Sequence, residues 1–276
     1  MGADMTPLAA QAPGRAGLPE TLARVSARLQ QWYARATRVT STEEVSIQPL
    51  RADLTPLDFP RRLAFELRIE WDPDRTGPGG APVANILREP VPINGRLPGG
   101  SDPGCMDPKP VSPEPLAMLL AARHHESEFS LAGTERVDGR QAIRIDYRGV
   151  ISLPEEITWT DDCVSLLLPG RSRGRVWIDA ATYDVLRMDD RLVGTFEFDV
   201  PRDHVRRGAA RSMVIERAES SIRYRRVVFQ DPEEALLLPA SIDSLTVIRG
   251  ASTQRVRITQ RFSDYRRFLT DGRIVD

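Results

Sequence analysis

The sequence is almost without lysine: of its 38 basic residues, all but Lys109 are arginine. Against 39 acidic residues this leaves a formal net charge of -1, so no global field attracts nucleic acid, and a sequence-independent phosphate binder is disfavoured. The arginine bias reads as the coding habit of a GC-rich genome. Cysteine is equally scarce, with Cys105 and Cys163 alone, which permits a single disulfide and little else. Neither belongs to a CxxC pair or has a histidine nearby, so zinc is not expected, nor is any other metal or cofactor. No apolar run approaches the roughly 20 residues that span a bilayer. The start also lacks a charged segment followed by an apolar core, although Ala10-Gln11-Ala12 has the small-x-small form of a cleavage site.

What is present is alternation. From Gly174 to Val200, Val176 and Ile178 share one face, the chain reverses through Asp179 to Asp184, and Leu186, Met188, Leu192, Phe196, Phe198 and Val200 share one parity. Period two means β-structure with one face buried. An isolated hairpin is not stable, so neighbouring runs must extend the sheet and something must cover its apolar face. Arg62 to Trp71 alternates through Leu63, Phe65, Leu67, Ile69 and Trp71, and Val39 to Leu50 through Val45 and Ile47. Asp138-Gly139 is a favoured two-residue hairpin turn between Phe129–Leu131 and Ile143–Tyr147. Three more strands are expected over Ile222–Phe229, Leu237–Ile248 and Arg255–Phe268.

Helical spacing occurs at the start, where Leu22, Val25, Leu29, Trp32 and Tyr33 recur between arginine and glutamine from about Pro19 to Ala36. A second helix is predicted with Ser112 as N-cap and Pro113 at its first position, running to about Glu126. Residues 1–18, rich in Ala, Gly and Pro, are expected to be a disordered leader. Residues 19–276 then form a single antiparallel α+β domain of about nine or ten strands. It carries a Pro/Gly-rich insertion at 72–115, whose strand-like part is Val83 to Ile93, and a second insertion at 151–173.

Several motifs invite chemistry. Gly170-Arg171-Ser172-Arg173-Gly174 has the G-x-S-x-G form of a nucleophile elbow, and Asp189 or Asp190 followed by His204 supplies the hydrolase order. The elbow needs a helix behind the serine to form its oxyanion hole, and a strand follows Ser172, so the run reads as an exposed basic approach to a hairpin. His124 and His125 would point about 100° apart on a helix, which suits capping better than one metal. Asp161-Asp162-Cys163 has the residues of a metal or thiol site but reads more simply as acidic turn residues beside a strand, and Glu155, Glu156, Asp161 and Asp162 are candidates for paired-carboxylate chemistry with nothing in the sequence to fix their separation. Asp190 shares the parity of Leu186 and Met188 and so marks either a bulge or a charge facing the interior, with the bulge or rim position preferred. Arg144, Arg148, Arg223, Arg225, Arg255 and Arg257 all lie opposite apolar residues. Solvated cross-strand pairing explains such a face, and contact with an anionic membrane surface or acidic partner is the functional alternative.

The order of elements, with the run FSLAGTERVDGRQAIRIDYRG followed by GRVWIDAATYDVLRMD, resembles the LolA/LolB-like periplasmic lipoprotein-carrier superfamily. The local echoes are Gly139-Arg140, Val176-Trp177-Ile178-Asp179 and Val185-Leu186-Arg187; in the turn after Asp179 this chain has Tyr183-Asp184 where that hairpin usually has glycine. The resemblance implies a strongly curved antiparallel half-barrel whose concave face, covered by amphipathic helices, shelters a lipid or a lipoprotein's acyl chain. On that basis the chain is expected to be a monomeric, non-enzymatic periplasmic binding protein without a cofactor or nucleic-acid partner. The alternative is a regulatory or interaction module of the same fold with a self-filled cavity, and the third reading is a hydrolase using Ser172. The expected lining is Leu29, Trp32, Phe65, Leu67, Ile69, Leu186, Met188, Asp190, Phe196 and Phe198. An oxidising compartment would pair Cys105 with Cys163. It would also require a basic segment and an apolar run encoded upstream of Met1.

Overall fold

In a computed structural model of the chain the described residues are 17–36, 38–76, 82–95, 97, 114–151, 154–160, 163–203, 210–230 and 233–267. The leader up to residue 16, Cys105, Ser112, Pro113 and His204 lie outside them. Helix α1, Leu18–Arg35, begins with Pro19 in its first turn, where a missing N–H costs nothing, and carries Glu20 and Arg35 at the ends that suit the helix dipole. Its buried residues are Thr21, Leu22, Val25, Ser26, Leu29 and Tyr33, the stripe that the helical spacing predicts.

Strands β1 (Arg38–Pro49), β2 (Arg61–Thr76) and β3 (Pro82–Pro90) form one antiparallel end of the sheet. Strands β4 (Ser127–Val137) and β5 (Arg140–Gly149) meet at Asp138-Gly139, both with positive φ, the geometry a tight hairpin needs. The chain continues through β6 (Glu156–Thr160), β7 (Cys163–Leu167), β8 (Ser172–Asp179), β9 (Val185–Leu192), β10 (Phe196–Asp199), β11 (Ser212–Gln230), β12 (Glu233–Arg249) and β13 (Thr253–Arg267). Eleven strands make one open sheet in the order β3-β2-β1-β13-β12-β11-β9-β8-β5-β4, with β10 paired to β11, while β6 and β7 form a hairpin of their own.

Three expectations about elements are corrected. The second helix is two short 3₁₀ turns, Glu114–Leu119 and Ala121–Glu126, because Leu120 adopts an extended backbone (φ -72, ψ 139) between them. The break lets the adjacent Leu119 and Leu120 both be buried, and the second turn starts on α1, where Ser26 Oγ accepts the Ala121 N–H at 2.8 Å. Second, the long parity run ending at Val200 is two strands: the chain turns at Val193-Gly194 (φ +73 at Gly194), so Phe196 and Phe198 pair with β11 instead of extending β9. Third, the insertion at 151–173 contributes the hairpin β6–β7, which adds two strands to the eleven of the main sheet where nine or ten are expected. The β8–β9 turn manages without glycine because Tyr183 takes φ +60, while Asp179 Oδ1 accepts the N–H groups of Ala181 and Thr182 at 2.8 Å each.

Candidate ligand-binding site

Strand alternation sorts the side chains of the sheet onto two faces, and the apolar face holds three buried clusters. In the largest, Leu22, Val25, Leu29 and Tyr33 of α1 gather with Leu67, Leu119, Ile145, Val176, Leu186, Met188 and Ile222, with Trp32 and Ile69 packed against its margin. Trp32 Nε1 donates to the Leu237 carbonyl at 2.7 Å, and Arg28 Nε donates to Asp184 Oδ1 at 2.5 Å, so α1 is tied down at two points. The void left beside Leu29, Trp32 and Tyr224 is about 20 Å³, room for a single water. Of the expected lining residues, Leu29, Trp32, Leu67, Ile69, Leu186 and Met188 thus meet in or against one packed interior.

Phe65 belongs to a second cluster with Val45, Ile47, Leu63 and Val256. Its ring carries the Arg88 guanidinium at 3.6 Å. That guanidinium donates to both oxygens of Glu43, at 2.8 and 3.0 Å, and Gln260 Nε2 donates to Glu43 Oε1 at 2.8 Å. Glu43 is completely buried, on the parity of Val45 and Ile47 where alternation predicts an apolar residue. A buried carboxylate persists there because three hydrogen bonds and a fixed cation replace its hydration.

Phe196 and Phe198 form the third cluster with Ile215, closed by Trp159, Val164, Leu166 and Leu168 from the hairpin and its exit. The two phenyl rings stack at 5.9 Å, Trp159 lies 6.4 Å from Phe198, and Arg171 sits 5.1 Å above Phe196.

Between the first and third clusters runs a polar row. Tyr147, Gly174, Asp190, Ser220 and Ser244 stand opposite one another on five successive strands. Tyr147 lies across Gly174 and donates to Asp190 Oδ1 at 2.5 Å. A Cβ at Gly174 would come within 2.7 Å of the Tyr147 hydroxyl and 1.9 Å of the Asp189 carbonyl, so only glycine lets the ring cross. Burial pushes the Asp190 carboxyl above the usual carboxylate range, opposed by the hydrogen bonds from Tyr147 and Ser172. Burial also pushes the Tyr147 hydroxyl up, so it remains a donor. The β8–β9 irregularity falls at Trp177/Ile178, not at Asp190, so the preferred bulge reading is corrected: Asp190 sits in regular pairing and faces the interior.

Beside this row is a cavity of about 350 Å³ lined by Leu166, Leu168, Arg171, Ser172, Asp190, Leu192, Ala218, Glu219, Ser220, Ser244 and Thr246. Ser172 is half-buried at the start of β8 and bonds to the Asp190 carboxylate, which corrects the expectation of an exposed position. No histidine is among the lining residues. His124 Nε2 instead meets the Leu119 carbonyl at 2.8 Å, an end-of-turn role close to the one expected. Among the described residues no group of three metal-ligating side chains occurs. Cys163 is disulfide-bonded.

Of the expected lining, Asp190 alone borders this cavity; Phe196 and Phe198 lie in the cluster under the same hairpin. Sequence reasoning missed Tyr147, Ser220, Ser244, Leu166 and Leu168. The signals were a glycine interrupting the alternation at 174 and the unassigned apolar run Val164–Leu168.

No protein-family model matches the sequence, and no curated protein does. Among solved structures the chain is similar to a domain from Vibrio parahaemolyticus described as an outer membrane lipoprotein-sorting protein, at 10% identity over 91% of this chain and 94% of that one, TM-score 0.39. It is similar to a DUF1329 family protein from Desulfovibrio piger, at 11% identity over 94% and 95%, TM-score 0.44. It is also similar to a LolA superfamily protein from Nitrosomonas europaea, at 8% identity over 92% and 97%, TM-score 0.37.

Proposed function

We propose that the chain is a non-enzymatic periplasmic binding protein that holds an apolar or acyl ligand, a lipid or the acyl chain of a lipoprotein, beneath the β6–β7 hairpin. The observation that carries this reading is the cavity of about 350 Å³ between that hairpin and the polar row. Its volume is within the range of small-molecule sites, and its lining residues combine leucines with a few hydroxyl residues, Arg171, Asp190 and Glu219. Among the described residues the hairpin pairs with no strand of the main sheet and meets it through side-chain packing on Phe196 and Phe198. A chain entering there would lie along Leu166, Leu168, Leu192 and Ala218 and could extend toward Phe196 and Phe198, with its polar end toward Ser172, Ser220 and Asp190. This places the ligand under the hairpin and leaves α1 a structural cover of the sheet's other half.

Native mass spectrometry of the protein from its own host, with fluorescent fatty-acid titration of the purified chain, tests the reading. A retained lipid, and fatty-acid binding abolished by Leu168→Glu, are expected. No retained lipid together with titration unchanged by Leu168→Glu would sink it. The interaction-module reading has one observation in its favour, the packed interior under α1 with only about 20 Å³ left over. That second outcome is the one it predicts.

A further inference from the structure

The outer face of the sheet, opposite the ligand cavity, carries an arrangement that composition conceals and register reveals. Arg148 stands opposite Arg173, and Arg173 opposite Arg191, on three adjacent strands. The row continues through Glu219 and Leu245 to Arg257. All four arginines border one groove of about 700 Å³. Like charges directly opposite in an antiparallel pair destabilise it, so three in succession are an unfavourable arrangement unless something answers them.

The nearby carboxylates do not. Asp146 is held by Arg175, at 2.5 and 3.2 Å. Asp189 is held by Arg187, at 2.8 and 2.7 Å, and by Ser221 at 2.7 Å. Glu219 accepts from Arg217 at 2.7 Å, and Asp243 from Thr259 at 2.9 Å. The carboxylates of the groove's outer face are each engaged elsewhere. Among the described residues, the guanidinium groups of Arg148, Arg173, Arg191 and Arg257 have no ion-pair or hydrogen-bond partner.

We propose that Arg148, Arg173 and Arg191 form a binding site for a compact ligand carrying phosphoryl groups. Strands are about 4.8 Å apart, so the three positions span roughly 10 Å, a reach suited to two or three linked phosphoryl groups. Guanidinium forks match phosphoryl oxygens bidentately. A phosphoryl group concentrates about -1.5 to -2 charges where a side-chain carboxylate brings one, which favours it over an acidic peptide for a row this dense. Such a ligand could be a soluble oligophosphate or the headgroup of a phospholipid. The proposal stands on the outer face and is independent of what the cavity holds.

The test uses the full chain with inorganic tripolyphosphate by calorimetry, and with phosphatidylcholine vesicles with and without phosphatidic acid by co-sedimentation. Arg173→Glu removes the centre of the row, Arg173→Gln removes charge without reversing it, and Arg62→Glu changes an exposed arginine on β2. Binding weakened at least about tenfold by both Arg173 variants, left unchanged by Arg62→Glu and reduced by added salt is the expected result. Tripolyphosphate binding identifies a soluble phosphoryl ligand, and binding to the phosphatidic acid vesicles alone identifies a lipid headgroup; either supports the site. Equal melting temperatures of Arg173→Gln and wild type establish that the fold is intact. Failure to bind either probe, or binding that Arg62→Glu weakens as much as Arg173→Gln does, overturns the proposal.

Discussion

Gly174 is the residue on which the polar row depends. Gly174→Ala places a methyl group against the Asp189 carbonyl and the Tyr147 hydroxyl, both backbone-fixed or packed, and should cost about 1 to 3 kcal/mol in a denaturant melt. Asp190 makes a second expectation, with a sign set by its burial. Its carboxyl is raised in the folded state, so the neutral form is favoured there and stability from this group is fully present below the unfolded value, near 3.9. That contribution is lost as pH rises through the raised folded value. Asp190→Asn removes the titration, so its stability relative to wild type should improve between pH 4 and pH 7, by about 1.4 kcal/mol for each unit of the raised value. Melts of both proteins at the two pH values check this, and an unchanged difference would show that Asp190 is solvated. Ser172→Ala should cost about 1 kcal/mol, because it takes a donor from a buried carboxylate; an exposed serine would give a few tenths.

At the scale of elements, the Glu43–Arg88 pair joins the outermost strand β3 to β1 across β2. Arg88→Ala strands a fully buried carboxylate and should destabilise by about 3 to 5 kcal/mol, whereas Glu43→Leu with Arg88→Met should come close to neutral. A double-mutant cycle followed by urea unfolding would give the coupling. The strands themselves were legible because period two survives in Leu63, Phe65, Leu67 and Ile69, and Asp138-Gly139 announced its hairpin. The second helix was not, because propensity and capping signals say nothing of two adjacent leucines that must both reach the core. Of the expected lining, Asp190 alone borders the candidate cavity. Tyr147, Gly174 and Asp190 meet through the register of three strands, as do Arg148, Arg173 and Arg191, and register is a property of pairing that no single run of residues carries.

At the scale of the molecule, Cys163 opens β7 and is disulfide-bonded, so the hairpin beside the cavity carries a covalent cross-link. Cys163→Ser should lower the melting temperature by an amount equivalent to about 2 to 4 kcal/mol and raise the binding of a hydrophobic dye, as the hairpin parts from Phe196 and Phe198. Unaltered dye binding would mean the aromatic packing alone holds it closed.

The place of β13 has a consequence for how the chain is made. It lies between β1 and β12, with Val39 paired to Arg267 and Arg249 to Thr253. Among the described residues the β1–β3 group and the β4–β12 group therefore share no ladder until this strand, which follows both in the sequence, takes its place. Until then β1 and β12 each present a bare edge, long enough to template mispairing. Completion of the sheet is dominated by pairings between distant parts of the chain, such as Val39 with Arg267, which places refolding in the millisecond-to-second range or slower. During that interval the two half-sheets are linked by their covalent connection and by the apolar packing of α1, with no ladder between them.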